Sequence, residues 1–140
     1  MNVKVVYFSR TGNTKKVAHA IGEAVGVRAE SVDGFRDDGD IDLVFVGGAV
    51  YADYDHGFSP AIQSFLGGLD PSRVKRVAIF DTYAFKSSIE KLASAVKSAG
   101  LNLAAERFSS RGKFLFFNAR HPNEAELGRA KAFARAMLEP

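Results

Sequence analysis

Hydrophobic positions fall along this chain in two alternating rhythms. Val3-Lys4-Val5-Val6-Tyr7-Phe8 is a short β-branched and aromatic run that stops at Ser9-Arg10-Thr11-Gly12, the pattern of a buried strand ending in a loop. From Thr14 the spacing becomes helical: Val17, Ile21, Ala24 and Val25 share one face, and Gly26 stands where a C-terminal cap belongs. Residues 28–32 read as a short second strand, and the acidic, turn-rich stretch 33–40 as a loop. Residues 42–46 predict a third strand closed by Gly47-Gly48, followed by a loop over 49–59. Ser59-Pro60 then opens a helix as cap and first-turn proline, with Ile62, Phe65, Leu66 and Leu69 on its apolar face. Val77-Ala78-Ile79-Phe80 is the fourth strand, and residues 81–86 form its loop. Ser87 with Glu90 predicts a capping box for a helix that buries Ile89, Leu92, Ala93 and Val96 and ends at Gly100. A fifth strand begins over 101–108, is interrupted by Ser109-Ser110-Arg111-Gly112, and has Phe114-Leu115-Phe116-Phe117 as a possible resumption. The final helix starts at Pro122-Asn123, with Asn123 and Glu126 as a second capping box and Leu127, Ala130, Ala134, Met137 and Leu138 as its stripe.

The predicted order is β-α-β-β-α-β-α-β-α, with the helix after the second strand missing or very short. Apolar strands alternating with amphipathic helices predict an α/β fold in three layers, a parallel sheet covered on both faces. Residues 1–140 are expected to form a single domain, since no linker, repeat or low-complexity segment divides them.

In such a sheet, ligands bind outside the carboxyl ends of the strands. Three loops are predicted there, over 9–14, 49–59 and 81–86. The first, Ser9-Arg10-Thr11-Gly12-Asn13-Thr14, packs three hydroxyls, an amide and a glycine between a strand and a helix N-terminus. Exposed N–H groups and the helix dipole attract a phosphate at such a point. One threonine would suffice to cap a helix; this loop carries more donors than capping needs. It lacks the second glycine and the Lys-Ser/Thr pair of a Walker A loop, and the three glycines of a dinucleotide fingerprint. The other two loops are aromatic: Tyr51, Tyr54, His56 and Phe58 in one, Tyr83 and Phe85 in the other. Packing against the sheet end accounts equally well for Phe58 and Phe85. A flat ring stacked between the loops is the better account of Tyr51 and Tyr83, each just beyond its strand.

Composition narrows the chemistry. Cysteine is absent, which removes disulfides, thiolate catalysis and Cys-ligated zinc or iron–sulfur centres and suits a cytoplasmic protein. No apolar run approaches a membrane span, and the N-terminal residues show no secretory leader pattern. The net charge of +3 hides an asymmetry of −4 over residues 1–70 against +7 over residues 71–140. The basic residues are scattered among apolar ones and do not interleave with aromatics in one segment, which argues against nucleic-acid binding.

Ser9-Arg10-Thr11-Gly12-Asn13-Thr14 resembles the Ser/Thr-x-Thr-Gly-Asn-Thr phosphate loop of the flavodoxin family, and stands in the same place after the first strand. Gly47-Gly48-Ala49-Val50-Tyr51-Ala52 is similar to that family's second flavin loop, Phe80-Asp81-Thr82-Tyr83-Ala84 to its third, and His121-Pro122-Asn123-Glu124 to the segment before the last helix in its short members. The resemblance covers nearly the whole chain. It implies a three-layer, doubly wound sandwich with a five-stranded parallel sheet in the order 2-1-3-4-5. It also implies bound flavin mononucleotide (FMN). Ser9, Thr11, Gly12, Asn13, Thr14 and the Arg10 amide would hold the phosphate. Tyr51 and Tyr83 would lie by the ring, backbone groups at Val50, Ala52, Asp81 and Thr82 would meet its polar edges, and Ala84 and Phe85 would complete the third loop.

The function implied is electron transfer between redox partner proteins, with no catalytic side chain and no metal. The alternative is a small FMN-dependent oxidoreductase acting on a quinone-like or other small acceptor. A flavin-free interaction module on the same fold is a third class. Members of the family are typically acidic, whereas this chain is basic. Lys86, Arg111, Lys113 and Arg120 are expected near the strand ends, which implies a higher reduction potential and an acidic or less polar partner. Asp81 replaces a residue that is commonly small: near the flavin N1 it would oppose reduction, and turned away it would cap its loop.

Overall fold

The computed structural model describes residues 1–10, 12–36, 39–49, 59–113, 118 and 120–139. Strand β1 (Val3–Tyr7) leads into helix α1 (Asn13–Val25), which Gly26 closes at φ 77°, a left-handed cap that costs glycine little. Strand β2 (Glu30–Ser31) is only two residues long, and Val32 already belongs to a single 3₁₀ turn, Val32–Gly34, in place of a crossover helix. Strand β3 (Leu43–Ala49), helix α2 (Pro60–Gly68), strand β4 (Val77–Tyr83), helix α3 (Ile89–Ser98), strand β5 (Leu103–Arg111) and helix α4 (Glu124–Leu138) follow. The five strands form one sheet in the order β2-β1-β3-β4-β5, and every pairing is parallel.

Alternation along the strands sorts the core into two layers, because successive side chains point to opposite faces. Val3, Val5, Leu43, Phe45, Ala78 and Phe80 pack with Val17 and Ile21 of α1 and Ala130 and Ala134 of α4. Val6, Val44, Val46, Val77 and Ile79 pack with Ile62 and Leu66 of α2 and Leu92 and Val96 of α3. The centre is tight. A Cβ placed on Gly47 would lie 2.0 Å from the Phe80 ring, so this position in β3 is small because β4 lays an aromatic across it.

The second strand, expected over 28–32, is confined to Glu30–Ser31, and three further strand boundaries differ from the sequence expectation. Gly47-Gly48-Ala49 continue β3, and Asp81-Thr82-Tyr83 continue β4, with Gly48 in register with Asp81 and Ala49 with Thr82. Ser109-Ser110-Arg111 do not interrupt β5: they pair with Asp81, Thr82 and Tyr83. Ladder bonds to a neighbour outweigh the weak strand preference of glycine, aspartate and serine. The box expected of Ser87 and Glu90 does not form. Ser88 is the N-cap of α3, the Ser87 hydroxyl accepts from Ile89 N at 3.1 Å, and Glu90 instead pairs with Arg107 on β5. An available arginine across the sheet offers the glutamate a charged donor, which a backbone amide does not match. The Asn123–Glu126 box is present in full, and the Ser59 side chain caps α2. Residues 114–117, considered as a resumption of the last strand, lie outside the described residues.

Candidate functional site

The carboxyl ends of β1, β3 and β4 sit side by side, with Tyr7 in register with Gly47 and Ala49 with Thr82. The connection from β1 to α1 crosses this edge. Ser9 Oγ accepts the Gly12 amide at 3.0 Å and so tightens the turn. Gly12 is the N-cap of α1 at φ 93°, a conformation that a side chain strains, and a Cβ there would meet nothing within 4 Å. Among the described residues no side chain caps α1, and no acid occupies its first turn. A helix start built in this way leaves its dipole uncompensated by any described side chain, which suits an anion.

Two residues of this loop are tied to neighbouring strands. Thr14 is fully buried, and its hydroxyl lies 2.7 Å from that of Thr82 on β4, so the start of α1 is joined to the end of β4 by a hydrogen bond. The Asn13 side-chain amide donates to the Lys113 carbonyl at 2.9 Å. The backbone beyond β5 comes close enough that a Cβ on Gly112 would lie 2.8 Å from Asn13 Nδ2. Arg10 is exposed. Thr11, Val50, Tyr51 and Ala52 lie outside the described residues, as do Tyr54, His56 and Phe58.

Asp81, Thr82 and Tyr83 occupy the last turn of the β4 ladder rather than a loop. Thr82 points toward α1, and Asp81 to the other face. Asp81 is buried and turned onto the start of α3: its Oδ2 accepts from Ser87 Oγ at 2.7 Å and from Ser88 N at 3.1 Å. Of the two roles weighed for it, capping is the one its contacts describe. Its Oδ1 is buried with no hydrogen-bond partner among the described residues. Burial pushes the Asp81 carboxyl above the usual range, and its serine partners only partly offset this. Tyr83 and Ala84 are half-buried, while Phe85 is 67% exposed.

A second polar cluster adjoins the site, and the sequence pointed to only part of it. Glu126, in the first turn of α4, is buried and gathers four donors. Ser110 Oγ and Arg111 N reach its Oε2 at 3.2 and 3.0 Å; Asn123 N, at 3.1 Å, and His121 Nδ1 reach its Oε1. An ionised carboxylate only accepts, so the imidazole donates from Nδ1. Burial pushes the Glu126 carboxyl up, but the bonds from His121, Asn123 and Arg111 outweigh it and hold the group below the usual range. The capping pattern marked Asn123 and Glu126 in advance. The contacts of Ser110 and His121 with Glu126, of Ser87 and Ser88 with Asp81, and of Asn118 Nδ2 with the Ala84 carbonyl at 2.6 Å carried no local signal beyond paired serines before a helix.

Comparison with known proteins places this architecture. No protein-family model matches the chain. An uncharacterized protein of Methanocaldococcus jannaschii is 29% identical to it over an alignment covering 91% of each chain. A flavodoxin from the domain Archaea superposes with a TM-score of 0.80 at 19% identity, over 98% of this chain and 96% of that one. The chain has the flavodoxin fold. A short-chain flavodoxin associated with a bacterial microcompartment agrees at a TM-score of 0.73 and 19% identity, over 99% of this chain and 97% of that one. In this flavodoxin fold the Gly12 turn leaves β1, whose neighbours β2 and β3 are reached by connections running opposite ways. That is the topological switch point, where open α/β sheets bind ligands. Among the described residues no helix is long and apolar enough to cross a membrane.

Proposed function

We propose that residues 1–140 form one flavodoxin-like domain that binds FMN at this edge and carries electrons between redox proteins of the cytoplasm. The observation that supports it most strongly is the start of α1. Among the described residues it is left without a capping side chain or an acid, at a glycine where an added Cβ would meet nothing within 4 Å, on the switch point of a flavodoxin fold. The residues present fit a phosphate monoester there. Ser9, Gly12, Asn13 and Thr14 would hold it with Thr11 and the Arg10 amide. The Thr14–Thr82 bond would fix the loop relative to β4 before the ligand arrives, lowering the ordering cost of binding. Val50, Tyr51, Ala52, Asp81, Thr82, Tyr83, Ala84 and Phe85 would surround the ring. When bound, FMN supplies the redox chemistry, and the protein sets its potential and access.

The test is a visible absorption titration of the purified protein with FMN, followed by stepwise reduction. Saturable one-to-one binding and two resolved one-electron steps are expected. No binding with excess FMN would overturn the proposal. The exposure of Phe85 beside Tyr83 favours one second reading, a small FMN-dependent oxidoreductase that stacks a quinone-like acceptor on that ring. Reduction in a single two-electron step, with steady turnover of NAD(P)H and a quinone in the absence of any reductase, would decide for it.

A further inference from the structure

We infer that the groove between the carboxyl end of β5 and the start of α4 docks an acidic face of the redox partner protein, with Arg111 and Arg129 as the contact charges. The inference deepens the electron-transfer reading and rests on it.

The groove is open and encloses about 390 Å³, with Tyr83, Ser109, Arg111, His121, Asn123 and Arg129 in its lining. Both arginines are exposed. Two other basic residues on the same elements are neutralised: Arg107 of β5 pairs with Glu90, and Lys131 of α4 pairs with Glu23. Among the described residues no carboxylate pairs with Arg111 or Arg129. Glu126 also lines the groove, and the acids nearest it expose little charge there. Glu126 is buried and committed to four donors, and Glu124 lines the separate cleft between α1 and α4. Lys113 and Arg120, both exposed, flank the groove in sequence. The exposed charges of the groove are therefore of one sign, with the Glu126 carboxylate buried beneath them, on the half of the chain that carries +7.

The patch is also braced. Glu126 binds the Arg111 amide, the Asn123 amide and the His121 ring at once, so the backbone beneath both walls is fixed before a partner arrives. Its place suits electron transfer. Tyr83 forms one wall, and the Tyr83 carbonyl accepts the Gly112 amide at 2.8 Å, so a partner seated here touches the third loop of the candidate flavin site. The occupant follows from exposure. Solvated arginines give a small anion little affinity. Across a large interface they steer approach and fix orientation.

The probe is a fluorescein-labelled oligoglutamate, titrated by fluorescence anisotropy against the protein with and without FMN. Binding that weakens as salt is added is expected, and Arg111→Glu with Arg129→Glu should weaken it about ten-fold at low salt. The control is Lys97→Glu with Arg135→Glu, which changes net charge equally in the last turns of α3 and α4, at the other end of the sheet. It should change binding by less than about two-fold. Equal losses in the two double variants would show that only net charge matters and would overturn the inference. So would inorganic phosphate or a single-stranded oligonucleotide that binds through the same arginines more tightly than the oligoglutamate. With FMN bound and first reduced by dithionite, the rate at which the reduced flavin passes electrons to ferricyanide should fall with added salt in the parent protein, and less in the groove variant. FMN binding is read separately by absorbance. A protein that fails to bind FMN yet passes the anisotropy test therefore loses the redox reading and keeps the acidic docking surface.

Discussion

Helices α1 and α4 start at the same edge of the sheet and cover the same face, and their first turns are built in opposite ways. At α4, Asn123 and Glu126 close a full capping box, Glu124 adds a second acid, and His121 and Ser110 bind the same carboxylate. At α1, a left-handed glycine stands at the cap with its own amide held by Ser9 Oγ, but among the described residues no side chain caps the turn that follows and no acid sits in it. A glycine in place of a capping side chain costs roughly a few tenths of a kcal/mol, and this chain closes the other starts at this edge with side chains. The Ser59 hydroxyl caps α2, Asp81 and Ser87 hold α3, and the box holds α4. The exception is informative because it coincides with the switch point: protein-supplied negative charge is withheld where the fold places a ligand.

The comparison breaks most sharply at Gly12. Gly12→Asp should place a carboxylate where we put the FMN phosphate. At about 4 Å and the effective dielectric of a protein surface, that repulsion amounts to ~4 kcal/mol, a loss of about a thousand-fold in FMN affinity. Gly12→Asn carries the same backbone strain at φ 93° without the charge and should lose far less. Equal losses in a fluorescence titration would mean that strain, and not phosphate recognition, explains the glycine. Next in size is Glu126→Ala, which leaves four donors at the α4 start without their acceptor. Urea unfolding should show a loss of about 3 kcal/mol, while the folded fraction keeps its FMN affinity. An unchanged midpoint would mean that water replaces the carboxylate at no cost.

The alternation of strands and helices, both core faces, the Ser59 cap and the Asn123–Glu126 box were legible in the sequence, because each rests on spacing within a few residues. The loop around Gly12 was legible for the same reason. What escaped depends on the neighbouring strand. Asp81-Thr82-Tyr83 and Ser109-Ser110-Arg111 look like loops alone and become strand only by pairing with each other. Glu90 looks like a box residue until Arg107 is brought across the sheet. Thr14 looks like one more phosphate donor, and its bond to Thr82, 68 residues away, appears only in three dimensions.

That bond supports a smaller prediction. Thr82→Val keeps shape and leaves the buried Thr14 hydroxyl without its partner, so stability should fall by about 1–2 kcal/mol. FMN affinity should fall less than with any charge at Gly12, because the α1 start keeps its amides. A stability loss without any change in affinity would show that the loop holds its shape unaided, and would locate the preorganisation in Ser9 and Gly12.

The smallest effect is a slope, and it concerns α3, whose start lies between the two extremes. There the closing carboxylate comes from a strand, with one oxygen bonded and the other buried without a hydrogen-bond partner among the described residues. Burial raises the folded pKa of Asp81 above its reference value of 3.8, so the native state holds this proton more tightly than the unfolded chain. As pH rises from the unfolded value through the raised folded one, the unfolded chain releases its proton first, and stability falls with pH until Asp81 is ionised in both states. Glu126 has the opposite sign: its lowered pKa gives stability that is present above the unfolded value and lost as pH falls through the folded one. Asp81→Asn removes the first group and leaves the second. Its unfolding free energy, measured in urea from about pH 4 to about pH 7, should therefore gain on the parent protein across the window set by Asp81 and then run parallel to it. Two curves parallel from the acid end would mean that Asp81 is not destabilised by burial. In that case α3, like α4, would be closed by a carboxylate at no cost in stability, and α1 would remain as the one start at this edge that gives up stability to stay open.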